Sequence, residues 1–255
     1  MSLFIFCFSS SPVFAQEFDF QRSWADYIYT TGQYQQVHEQ YSKAKQTYNT
    51  YQTLTTRNDA VAAAAAVLKS REELVRTYLV MFRMKLYESK LSLDSNKQEK
   101  INSADILVSW LEGRKSKLDA IGNIDDLNEI SAEFENKYPE ITSLSFGMIA
   151  SYKVGEIGLV IERIDNLKDE IKKKKDDFSE KDKIEFDRSI VQIEEKISLA
   201  KSKRQQALSE LENLSDKRTK DYLAIWRTSR SALVDCQQYL REVLVFMDEI
   251  TGKNE

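Results

Sequence analysis

The chain has 255 residues, 42% hydrophobic and 31% charged, long enough for one large domain or two small ones and typical of folded soluble proteins. A formal net charge of −4 argues against a phosphate-binding surface, because nucleic-acid affinity rests on clustered, unbalanced Lys and Arg. Two prolines and seven glycines leave little turn chemistry for a sheet protein. The expected class is therefore all-α: an elongated antiparallel helical bundle, coiled-coil-like, of about five or six helices.

Leu3 to Phe8 form a continuous apolar run, followed by small residues and then Val13, Phe14 and Ala15. This reads as a signal peptide over residues 1–15, cleaved after Ala15, although its positive flank is missing and its true start then lies upstream. A buried apolar strand is the alternative. Cys7 lacks the small preceding residue that a lipid-anchor site needs. Cleavage would leave Cys236 as the only thiol, and its place in an apolar stripe predicts a buried, inert side chain. Residues 16–255 are expected to form a single elongated helical domain.

Tyr27, Tyr34, Tyr41 and Tyr48 fall seven apart, with Val37, Ala44 and Tyr51 between them, a heptad seam with tyrosine in place of Ile or Leu. Such a seam should be half-exposed, because each hydroxyl needs a partner or water. It is the candidate interaction stripe, either as helix packing or as a carbohydrate-stacking platform. A turn around Thr55 to Asp59 then leads into a helix from Ala60 to about Leu91. Its two apolar stripes, one through Leu68, Val75, Leu79 and Phe82 and one through Leu74, Tyr78 and Met81, predict the most buried helix of the chain.

Ser95 and Gln98 are spaced as a capping box for a helix that Gly122 closes. Asn123 and Asp126 can cap a short helix carrying Leu127, Ile130 and Phe134, expected to end before Pro139. Ile141 to Ile161 follows with few charges and with Gly147, Ser151 and Gly155 four apart, a spacing that permits close helix approach. Segment 144–161 is also where a membrane-active reading starts, although Lys153 and Glu156 interrupt it. Four lysines, Lys172 to Lys175, then mark a solvated helix end, and Ser179 with Asp182 caps the helix after a reversal. From Ile184 to Ile250 apolar residues recur at steps of three and four. The reading is one very long C-terminal helix of about 100 Å, locally unwound where the stripe slips phase between Leu214 and Tyr222.

The run from Asp19 to Tyr29 (DFQRSWADYIY), the tyrosine heptads after it, and Ser70 to Leu79 (SREELVRTYL) resemble uncharacterised secreted all-helical envelope proteins of reduced-genome candidate-phylum bacteria. The resemblance covers about the first third of the mature chain. It implies an envelope location and supplies no functional residue.

His38 is the only histidine, so catalytic triads, di-iron sites and Cys/His zinc sites lack the residues they need, and glycine-rich phosphate loops are missing. No catalytic residue, cofactor or metal is expected. The sequence reading is an exported, secreted or extracytoplasmic, non-enzymatic helical scaffold of the cell envelope. It would act through protein–protein contacts or self-association, with no nucleic acid and with a membrane surface as the less favoured partner. The alternative is a pore-forming-like protein that inserts residues 144–161.

Overall fold

The computed structural model describes residues 19–89, 97–177, 179–212 and 221–252, and among them every regular element is helical. The elements are α1 (Phe20–Tyr51), α2 (Leu54–Glu88), α3 (Lys97–Gly113), the five-residue α4 (Lys115–Asp119), α5 (Ile124–Lys173), α6 (Glu180–Glu212) and α7 (Tyr222–Gly252), with a 3₁₀ turn at Lys175–Asp177 before α6. The leader reading, the Ser95 cap and the phase slip that follows Leu214 lie outside the described residues.

α1 and α2 form an antiparallel hairpin. Gln52 adopts a left-handed conformation (φ 48°) and its N–H closes on the Tyr48 carbonyl. Thr53 then caps α2 in a reciprocal box with Thr56. The turn therefore falls at residues 52–53, ahead of the Thr55 to Asp59 expectation, because the cap is a Thr-x-x-Thr pair that stands in for the commoner Ser/Thr-x-x-Glu.

α5 is the longest helix, 50 residues or about 75 Å at 1.5 Å per residue, and it lies in the middle of the chain. Asn123 caps it as expected, accepting from the N–H groups of Asp125 and Asp126. It does not stop before Pro139. The proline removes one N–H from the ladder, yet Ile130, Phe134, Ile141 and Met148 are buried along the same face on both sides of it, and their burial outweighs a penalty of about 3 kcal/mol. α5 rather than α2 carries the most buried side chains.

Two main cores are strung along this spine, with a small third cluster of Leu68, Leu118 and Ile130 beside them. Leu79, Leu86, Leu107, Leu111, Phe134 and Met148 belong to the first, built from α2, α3 and the N-terminal half of α5, with α1 laid on α2. Val154, Ile157, Ile161, Ile193, Ile197, Cys236 and Val243 belong to the second, built from the C-terminal half of α5 with α6 and α7. The low-charge segment 144–161 bridges the two, with Gly147, Met148, Ala150, Val154, Gly155, Ile157 and Ile161 buried. A Cβ on Gly158 would come within 3.1 Å of the Arg204 guanidinium, so that glycine admits α6 close to α5.

The expected single C-terminal rod is two antiparallel helices. Ser229 donates to the Ala207 carbonyl and Cys236 to the Ala200 carbonyl, at 3.2 and 3.1 Å. Lys203 pairs with Asp235 and Lys196 with Glu242 in the same reversed register. One straight rod would leave the stripe of Ile190, Ile193, Ile197 and Ala207 and that of Ala232, Cys236 and Val243 with no cover from each other. Folded back, each buries the other. Asp221 accepts from the Ala224 N–H and caps α7.

Candidate functional site

Tyr27, Tyr34, Tyr41 and Tyr48 are each half-buried, on the side of α1 that lies on α2. Tyr27 meets Tyr78 at 5.5 Å between ring centroids, and Tyr78 meets Phe82 at 4.9 Å. Burial, and then the neighbouring Tyr27, push the Tyr78 hydroxyl up to about 12. The stripe is thus the seam of the hairpin. His38 is exposed between Tyr34 and Tyr41, with ring centroids 5.8 and 6.4 Å away.

Beside this seam runs a groove of about 620 Å³, walled by Asp26, Tyr29 and Gln33 of α1 and by Lys69, Ser70, Glu73 and Arg76 of α2. Thr30 and Thr77, hydroxyls 2.7 Å apart, tie the helices together within it. Arg76 gives two hydrogen bonds to Glu73, at 2.6 and 3.0 Å, and reaches Glu112 at 3.4 Å. Those bonds from Arg76 hold the Glu73 carboxyl below its ordinary range against the opposing cost of burial. The charges of α2 in this groove are thus spent on each other, on Glu112 of α3 or on Lys115 and Asp119 of α4. The Tyr29 ring, the Gln33 amide, the Asp26 carboxylate and the Lys69 ammonium face solvent, a surface for hydrogen bonding and stacking.

A second concavity, about 580 Å³, lies where the two bundles meet, between Glu99, Lys100 and Ser103 of α3, Asn136, Glu140 and Leu144 of α5, and Leu211 and Tyr222 at the facing ends of α6 and α7. No group of three His, Cys, Asp or Glu side chains is placed to hold a metal among the described residues.

Two features escape the sequence reading. Phe20, Trp24 and Tyr27 continue the ring contacts of Tyr78 and Phe82 down to the base of the hairpin, with centroids 6.3 and 6.0 Å apart, and the Lys85 ammonium lies 4.4 Å from Phe20 and 5.1 Å from Tyr152. Under α3, the Arg114 guanidinium donates twice to Glu72, at 2.8 and 2.9 Å, and also to Glu133 and to the Ile130 carbonyl. The signal for the pair was available: Glu72 falls on the α2 seam between Leu68 and Val75, where a charge has no solvent to face.

Cys236 is fully buried, and burial pushes its thiol up to about 11, with Arg204 only partly opposing. Comparison with protein-family models, with curated proteins and with solved structures gave no match.

Proposed function

We propose that the chain is an exported, non-enzymatic helical scaffold of the cell envelope that works through protein–protein contacts. One observation carries this reading. α1 packs on α2, and Trp24, Ile28 and Tyr29 stand around the outer surface of its first turns, between 44% and 68% exposed. Large apolar and aromatic groups gathered in this way cost solvation unless a partner covers them, and Trp and Tyr are the side chains most often found as interface anchors. The 32-residue α1 offers a straight edge of about 48 Å for such a partner. A photo-crosslinking residue placed at Tyr29 in the native cell tests it. Discrete protein adducts at the envelope are expected, and a strictly monomeric chain without adducts would end this reading.

The membrane-active alternative has one observation in its favour, a window within α5 that is apolar and long enough to cross a bilayer. That window holds both cores together, so insertion would have to dismantle them. Dye release from liposomes decides it, and no release across lipid compositions and pH removes the alternative.

A further inference from the structure

The second bundle has three helices, and its α5–α7 side carries an unused apolar groove. Phe146 of α5 and Trp226 of α7 stack at 5.8 Å and fix the register of these parallel helices. Counting along both from that contact, helical periodicity places Val160 and Leu167 on one rim and Leu223, Val234 and Leu244 on the other. These five are between 41% and 54% exposed, while Ile157, Ile164, Leu233 and Leu240 on the adjoining faces fill the core.

The charge on this face is unbalanced. Arg163, Arg230 and Arg241 line the rims, all exposed and none within ion-pair distance of a carboxylate among the described residues. The cause lies on the other side of α7, where Lys203 and Lys196 draw Asp235 and Glu242 toward α6, at 3.0 and 2.7 Å. In the same register Arg163 and Arg241 stand at nearly the same height on opposite rims. Two cations facing one apolar trough favour an anion between them. Glu156 is taken by Lys153, and Glu170 and Asp248 stand at the far end of the groove.

We propose that this groove docks an acidic amphipathic helix of a partner protein, which completes a four-helix bundle. The apolar stripe of that helix lies on Val160, Leu167, Val234 and Leu244, and its flanking Asp and Glu pair with Arg163, Arg230 and Arg241. A trough between two parallel helices suits a third cylinder, with axes about 8–10 Å apart, better than the plane of a bilayer. The inference rests on the reading that the chain works through protein contacts, and names a face and a partner chemistry for it.

The probes are two synthetic helices of about 28 residues with one shared leucine stripe, flanked by Glu in the first and by Lys in the second. Binding to the full chain is followed by fluorescence anisotropy. The Glu helix is expected to bind about tenfold more tightly than the Lys helix and to weaken with salt. Arg163→Glu with Arg241→Glu should cost at least about tenfold, Val160→Asp with Leu244→Asp a similar factor, and Arg188→Glu on α6 nothing. All five positions are exposed, and an unchanged thermal midpoint by circular dichroism confirms that the variants fold. Equal binding of the two helices, or indifference to the arginine variants, overturns the proposal. Arginine-dependent binding to phosphatidylglycerol vesicles without binding of the Glu helix also overturns it, in favour of a lipid surface. A Tyr29 adduct without peptide binding removes this groove and leaves the general reading standing, whereas peptide binding without a Tyr29 adduct supports the groove alone.

Discussion

Arg114 sits where the ladder lapses between α3 and α4, 3% exposed, and Glu72 opposite it is 2% exposed. A buried pair of this kind contributes little against a well-packed apolar replacement, but removing one partner strands the other charge. Arg114→Ala should therefore cost about 3–5 kcal/mol in urea unfolding, and Glu72→Leu combined with Arg114→Met should recover most of it. A single variant no worse than Lys69→Ala, whose ion pair with Asp119 is exposed, would contradict the account. The acid response follows from Glu73. Its folded value is depressed by Arg76, so its contribution is present above the unfolded value near 4.5 and is lost as pH falls through the lower folded one. The thermal midpoint should drop on acidification below about pH 4.5, and Glu73→Gln should flatten that drop by less than about 1 kcal/mol, because the pair is partly exposed. A pH profile of the midpoint from neutrality downward checks the sign.

Among the elements, some were readable because the signal is local. Asn123 as a cap needs its own side chain and the next two N–H groups, and Ser179 needs only the Asp182 N–H, which it accepts at 3.3 Å. The seam of Tyr27, Tyr34, Tyr41 and Tyr48 was visible from its spacing, but which helix covers it was not, since periodicity describes one surface and says nothing of the neighbour. The same limit explains the C-terminal half. Ile190 to Ala207 and Ala232 to Val243 each announce a buried stripe, yet a rod and a hairpin differ only in whether the stripes meet each other. Pro139 shows local preference losing to tertiary burial, because the apolar face of α5 continues past it. Pro139→Ala should restore the N–H to the Glu135 carbonyl and raise the urea midpoint by about 1–3 kcal/mol of stability. A lower midpoint would mean that the proline ring is itself built into the packing of α5.

At the scale of the whole molecule, two cores share one helix, and the question is how far each stands alone. The first includes Leu111 and Phe134 and the second Ile193 and Val243, and Met148 and Val154 mark where they approach along α5. α5 is continuous across that approach, so melting its C-terminal half removes ladder bonds next to the first core but few of its side-chain contacts. Ile193→Ala opens a cavity in a fully buried site and should cost about 2–5 kcal/mol. If the bundles open separately, hydrogen exchange read by mass spectrometry should speed up in α6, α7 and α5 beyond Val154, while α2 and α3 keep their protection. Leu111→Ala should give the mirror result, with loss in α2, α3 and the first half of α5. Faster exchange throughout after either substitution would show a single cooperative unit, with α5 transmitting the loss. That outcome would also matter for docking on the α5–α7 groove, because a partner that stabilises the second bundle would then stabilise α1 and its exposed Trp24, Ile28 and Tyr29 as well.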